Sequence, residues 1–232
     1  MVIVPFLAMT KAEFRSNPPI SSPIAWMACH FSPYGTGLSN LPEKLPPGSL
    51  LILNDRTPWW HHDTRQILYQ LQQQLEALSC RGLLLDFQRP DVPEAAELAS
   101  LLAKELPCPV GVSEAYAPGL NCPVFLSPVP LTRALKDHIA PWEGREIWLE
   151  AALECEEWRI TEEGSTVTPL PCCVDKDDFF LEKHLHCHYR TDMEENQVCF
   201  ILKRTREDMD DLLAEAAAWG VTTAVGLWQE LG

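Results

Sequence analysis

Short apolar runs alternate with segments of helical spacing along most of this chain, and that rhythm limits the possible folds more than any other feature. "IAWMACHF" (24–31), "LLILND" (50–55), "GLLLDFQ" (82–88), "PVGVSEA" (109–115), "PVFLSPV" (123–129) and "REIWLEAAL" (145–153) read as strands. Leu83, Leu84 and Leu85 suit a strand buried on both faces, as in a central parallel sheet. Between them, 61–80 places Ile67, Leu68, Leu71, Leu75 and Leu78 at helical spacing. "PEAAELASLLAKEL" (93–106) and "LTRALKDHIAPW" (131–142) supply two more helices. The order predicts a parallel α/β sheet with helical crossovers, curled into a shortened (β/α) barrel of the TIM type with seven to eight strands.

The rhythm breaks at Glu154. "CEEWRITEEGSTVTPLP" reads as two short strands around Glu163-Gly164, and "HLHCHYRTDMEENQVCFILKR" as a second hairpin turning at 194–196. Regular order returns with the helix "REDMDDLLAEAAAWG", capped by Gly220, and a last strand in "VTTAVGLWQELG". The expected organisation is one domain over 1–232, with a mostly antiparallel insertion at 154–202.

A chain of 232 residues with 46 % apolar side chains can bury one sizeable core. Its net charge of −15 argues against nucleic acid and against an anionic membrane surface, both of which call for a basic footprint. No apolar run reaches transmembrane length. The opening "MVIVPFLAM" lacks a basic leader region and a small-residue cleavage site, so it is not read as a signal peptide. Nine scattered cysteines, in strand-like contexts such as "MACHF" and "NQVCF", give no complete disulfide framework. They point to a reducing compartment and hence the cytoplasm, with the cell envelope or spore as the alternative for a chain whose leader has been removed.

No Gly-x-Gly-x-x-Gly or Walker-type loop follows any strand, so no cofactor is expected. His184, His186 and His188 would share one face of a strand, with Cys187 opposite. Imidazoles bind zinc, but a water-facing hairpin explains them equally. Without Cys-x-x-Cys or His-Glu-x-x-His spacing no metal site is assigned.

In a βα barrel the chemistry sits at the C-terminal strand ends. Asp55, Asp86, Gln88, Glu114, Glu150, Trp228 and Glu230 fall there. Trp59 and Trp60, directly after a strand end, suit either sugar stacking or a hydrophobic helix cap. Side chains alternate along a strand, so Leu84, Asp86 and Gln88 share one face. A carboxylate in that setting needs hydrogen-bond partners or a ligand.

The stretch from Arg81 to Gln88 resembles the strand signature of glycoside hydrolase family 18, Asp-Gly-x-Asp-x-Asp-x-Glu. Gly82 matches the Gly, Asp86 the last Asp, and Phe87 the aromatic often found before the Glu. Arg81 stands at the first Asp, Leu84 at the middle Asp, and Gln88 at the catalytic Glu. The C-terminal segment is similar to the closing part of the family's spore-associated, peptidoglycan-active branch. Tyr189, Asp192, Phe200, Gly220, Gly226 and Trp228 occupy the matching places. The resemblance covers roughly 80–232 and leaves one βα unit missing.

It implies a carbohydrate ligand, with an N-acetylhexosamine oligomer as the candidate and Trp228 as the floor under a sugar ring. In the family the Glu protonates the glycosidic oxygen while the substrate's own acetamido oxygen attacks the anomeric carbon. Gln88 has no proton to give, so a weak or inactive glycan-binding relative is the leading expectation. An active glycosidase with its acid relocated to Glu114 or Glu150 is the runner-up, and a barrel scaffold without a sugar site is the third. "VGVSEAY" and "EIWLEAA" are apolar on both faces and leave the direction of both glutamates open.

Overall fold

The structure, a computed structural model, describes residues 3–17, 23–33, 37–58, 62–171, 178–194 and 196–232. In chain order its first half contains β1 (Phe6–Met9), α1 (Lys11–Ser16), β2 (Ile24–Phe31), β3 (Leu38–Ser39), β4 (Leu50–Asn54), α2 (Thr64–Ala77), β5 (Gly82–Asp86), α3 (Pro93–Glu105) and β6 (Val110–Ser113). Then follow β7 (Val124–Leu126), α4 (Leu135–Ile139), β8 (Ile147–Ala151), β9 (Cys155–Thr161), β10 (Gly164–Pro169), β11 (Phe180–Glu182), β12 (Cys187–Glu194), β13 (Gln197–Lys203), α5 (Arg206–Ala218), β14 (Val221–Leu227) and α6 (Trp228–Leu231). They form two compact units. One comprises Val4–Ser127, Gly144–Glu150 and Val221–Gly232; the other is built on Pro128–Glu143 and Ala151–Gly220. No helix among the described residues is long and apolar enough to cross a membrane.

The first unit is a closed parallel barrel. Its strands run β1-β14-β8-β7-β6-β5-β4-β2, and β2 pairs back onto β1 to close the ring. The short β3 adds an antiparallel extra on the end of β2. The eight strands agree with the expected barrel, but the first was not legible. "MVIVPFLAM", judged only as a leader candidate, supplies β1, whose four residues are all buried. Thr10 and Glu13 then form a reciprocal capping box that starts α1. The helices expected from spacing are present: Asp63 caps α2 by accepting the Arg65 N–H at 2.9 Å, and Ile67, Leu71 and Leu75 are its buried stripe. No helix occurs among the described residues between β2 and β4 or between β6 and β7. These two crossovers are where the barrel is abbreviated.

The interior is filled by alternate residues of the strands. Phe6, Ala8, Ala25, Leu50, Ile52, Leu84, Trp148 and Val225 form one buried cluster, with Met27, Phe125 and Leu227 against it. Trp148 is its largest member and occupies the space that two glycines leave open. A Cβ on Gly111 would run into its six-membered ring, and one on Gly82 would lie 3.1 Å from its Cη2. The glycine matched to the family signature therefore has a packing role here.

The second unit carries a five-stranded antiparallel sheet in the order β10-β9-β13-β12-β11. Both expected hairpins are present, but β13 pairs with β9 and fuses them into one sheet, and β11 joins its edge. The three histidines do not share a strand face. His184 and His186 lie in the turn before β12, His186 with a positive φ of 47°. His186 meets Glu215 at 2.8 Å and His188 meets Asp208 at 2.9 Å. Among the described residues no group of three or more His, Cys, Asp or Glu side chains is placed to hold a metal ion. Arg204, 1 % exposed, donates to the carbonyls of Val129 (2.7 Å), His186 (3.1 Å) and Leu185 (3.2 Å), so this buried guanidinium ties the segment after Ser127 to the sheet.

Burial pushes the Cys29 thiol up to about 12, and Cys187 up to about 11. Both are buried and stay protonated near neutrality, where the nucleophilic thiolate is scarce. Iodoacetamide at about pH 8 should leave both unmodified in the folded protein, as read by peptide mass spectrometry. Labelling as fast as in urea would mean that the surrounding strands open readily.

Candidate active site at the barrel mouth

The register of the central strands decides which polar groups reach the open end. Leu50 and Ile52 of β4 face the interior, so Asn54 continues that face and Asp55 the other. Asn54 pairs in register with Asp86 of β5 and with His30 of β2. Asp86 follows Leu84 on the inward face and is half-buried. On β8 the inward Trp148 fixes Glu150 as inward too, which answers what the sequence left open.

Two cavities of the barrel unit meet here. The inner one, about 110 Å³, has Asp86 and Glu150 as its acidic groups above Ile52, Leu84, Phe125 and Leu227. The outer one, about 480 Å³, is lined by Gln88, Ser113, Glu114 and Ser127, and again by Asp86 and Glu150. Asp86, Phe125 and Glu150 line both.

Gln88 is exposed, and its Nε2 donates to Asp86 Oδ1. The amide nitrogen is thus turned to the carboxylate, which leaves Oε1, an acceptor, as the other polar end. The Gln88 backbone N–H donates to Asp55 Oδ1 at 3.0 Å. Arg89 adds a bond from Nη2 to the Arg56 carbonyl at 3.2 Å. The segment after β5 is therefore held to the end of β4 twice. Ser127 Oγ donates to Glu114 Oε2 at 3.4 Å, linking the ends of β6 and β7.

Asp55, taken from sequence as a ligand contact, is 2 % exposed and lines neither cavity. Its part is to fix Gln88 from below, while its Oδ2 is buried without a hydrogen-bond partner. Burial first, and then the Asp55 carboxylate, push the Tyr116 phenol above its ordinary value. Trp228 lines neither cavity either. The last strand stops at Leu227, and Trp228 with Glu230 belongs to α6. Tyr189 lies in the second unit, on β12, with its ring 5.8 Å from that of Phe180. Trp59 and Trp60 fall outside the described residues.

Phe125, Ser113 and Ser127 line these cavities, and the buried Asn54 supports them from the strand end below; the sequence singled out none of the four. Asn54 could have been found by phase, two residues beyond Ile52. It donates from Nδ2 to the Cys29 carbonyl at 3.0 Å and accepts the Arg56 N–H at 3.3 Å, so it braces the strand ends next to Asp86. Chemically, the cavity lining offers two inward carboxylates, Asp86 and Glu150, beside the Gln88 amide and the hydroxyls of Ser113 and Ser127. It lacks an acid at the Gln88 position.

No protein-family model matches the sequence, and no curated protein matches it. Solved structures do match in shape. The spore cortex-lytic enzyme SleL of Bacillus cereus aligns with a TM-score of 0.56 and 9 % identity, over 99 % of this chain and 71 % of that one. SleL of Bacillus megaterium QM B1551 gives 0.52 and 10 %, over 97 % and 69 %. A chitinase from Chromobacterium violaceum ATCC 12472 gives 0.53 and 10 %, over 96 % and 93 %. At such identities the likeness speaks for architecture alone, and on that level it agrees with the half-kept signature at Gly82–Asp86: the chain has a glycoside hydrolase family 18-like barrel fold.

Proposed function

We propose that this protein binds a glycan at the open end of its barrel and cleaves it weakly or not at all. The observation that carries the reading is the Asp86–Gln88 pair, a carboxylate hydrogen-bonded to an amide where the family has a carboxylic acid. An amide can hold an oxygen in place, but it cannot protonate a leaving group. Loss of general acid catalysis removes factors of about 10²–10⁴. Leu84, at the place of the family's middle Asp, is 2 % exposed in the apolar interior and offers no charge in compensation. The names of the structural neighbours, a spore cortex-lytic enzyme and a chitinase, support an N-acetylhexosamine oligomer as the ligand. Phe125, the aromatic ring that lines both cavities, takes the stacking role that the sequence had given to Trp228.

One observation favours a second reading. Glu150 faces inward and lines both cavities with Asp86, so it is the carboxyl group best placed to act as a relocated acid. Glu114 lines only the outer cavity.

Chitin oligomers and spore cortex fragments, incubated with the protein and analysed by chromatography and mass spectrometry, separate the two readings. The expected result is little or no product. Turnover at rates ordinary for glycosidases would overturn the weak-enzyme reading. A loss of about 10²–10⁴ in that turnover in Glu150→Gln would then identify the acid.

A further inference from the structure

We propose that a cavity on the outer side of the barrel, between α1 and the segment leading into β4, binds a small organic anion: an oxyanion group, phosphate or carboxylate, on a single-ring body. Strand alternation builds its floor. Ala25 and Met27 belong to the interior cluster, so Trp26 between them points outward from β2, where it is buried. Phe14 of α1 meets the indole edge to face, with ring centroids 5.7 Å apart. The cavity lined by these rings holds about 260 Å³. Lys11 and Arg15 come to it from α1, Glu43 and Lys44 from the segment before β4. It shares no lining residue with the two cavities of the barrel mouth.

The charge of this lining runs against that of the chain. Acidic residues outnumber lysine and arginine 33 to 18 overall, yet three cations and one acid gather here. Glu13, the acid of α1, is engaged elsewhere: its carboxylate accepts from the Thr10 N–H and hydroxyl, each at 2.7 Å, and from the Gln229 amide. Among the described residues, the side chains of Lys11, Arg15 and Lys44 have no ion pair with Glu43 or any other acid. Like charges around one cavity repel, and an anion between them relieves that repulsion. Arg15 supplies a planar fork that grips an oxyanion through two N–H bonds, and the lysines add point charges. The rest of a −15 chain repels anions, so the local field gathers them here.

Both walls are fixed before a ligand arrives. The Thr10–Glu13 capping box sets the start of α1. Trp26 Nε1 donates to the Asn40 carbonyl at 2.9 Å, which ties the opposite wall to the floor, and Pro42 in that wall is buried. A preformed site loses little freedom on binding. With the indole N–H already engaged, the rings offer apolar surface, and the selection falls on a ligand with a ring at one end and an oxyanion at the other. A volume of about 260 Å³ lies just below the usual range for ligand pockets, which limits the occupant to one ring.

Two-dimensional NMR of the full chain, titrated with phenyl phosphate and with benzoate, tests this at the Trp26 indole N–H. Both should bind with dissociation constants of about 1 mM or below, and added salt should weaken them. Inorganic phosphate lacks the ring and benzyl alcohol the charge, so each should bind at least about tenfold more weakly. Arg15→Glu and Lys44→Glu, at exposed positions, should each weaken phenyl phosphate at least about tenfold, the loss of one charge-assisted hydrogen bond. Glu43→Gln, which removes the acid, should tighten it about twofold to fivefold. Lys104→Glu, on α3 and outside this lining, should change nothing. Circular dichroism confirms that each variant is folded. None of the probes carries an N-acetylhexosamine, so the outcome is independent of the glycan reading. An indole signal that moves with none of these compounds at about 10 mM overturns the proposal. So does equal binding of benzyl alcohol or of inorganic phosphate, or an affinity unchanged in both Arg15→Glu and Lys44→Glu.

Discussion

Trp148→Ala should lower the unfolding free energy by about 3–5 kcal/mol, the range for removing a buried large aromatic side chain. Trp148 is 2 % exposed, and its Nε1 donates to Glu146 Oε1 at 3.0 Å. Its ring fills the room over Gly82 and Gly111, two positions with no side chain of their own to close the void. Urea titration followed by circular dichroism would measure the loss. A cost under about 1 kcal/mol would mean that the barrel collapses around the gap and that the two glycines do not depend on the indole. Gly111→Ala tests the same contact from the other side, because the added methyl group meets the ring head on. It should destabilise by about 1–3 kcal/mol, the usual penalty for overpacking.

This one side chain also explains what could and could not be read from sequence. The helices α2, α3 and α5 were legible because apolar residues recur on one face and polar residues fill the rest. Strand positions were legible for the same reason that strand phase was not. "EIWLEAA" is apolar on both sides because one side meets the interior and the other is also covered, so periodicity could not aim Glu150. The bulk of Trp148 against Gly111 is what fixes it, and that pairing joins residues far apart in sequence. "LLILND" failed in the same manner: its acid drew attention, whereas the inward residue is the amide, Asn54. β1 was hidden by its length of four residues and its resemblance to a leader, and α1 by having only six. Asp86 drew attention because a carboxylate ending a run of leucines needs a partner wherever the strand sits, and Gln88 Nε2 is one such partner.

Calorimetry with N-acetylglucosamine oligomers should show binding by the wild type that Asp86→Ala weakens about tenfold to a hundredfold. A hydrogen bond to a charged group is worth about 1.5–3 kcal/mol, and the substitution also releases the Gln88 amide from its acceptor. Trp228→Ala, which alters a residue lining neither cavity, should change affinity little. Gln88→Glu goes further, because it places a second carboxyl group against Asp86. Two like charges at hydrogen-bond distance cannot both ionise freely, so one of the pair takes up its proton at a pH above the ordinary carboxylate range. The protonated form is the proton donor that the wild type lacks, and it grows as pH falls. Any hydrolysis gained should therefore rise from neutral towards acidic pH and fade on the alkaline side, while staying small because Leu84 supplies no charge beside it. The same repulsion should make this variant less stable than the wild type at neutral pH and recover part of the loss on acidification. If the folded wild type binds none of these oligomers at millimolar concentration, the glycan-binding reading is lost. Should the wild type bind and Gln88→Glu cleave nothing at any pH, the site holds sugar in a pose that the family's proton transfer does not serve.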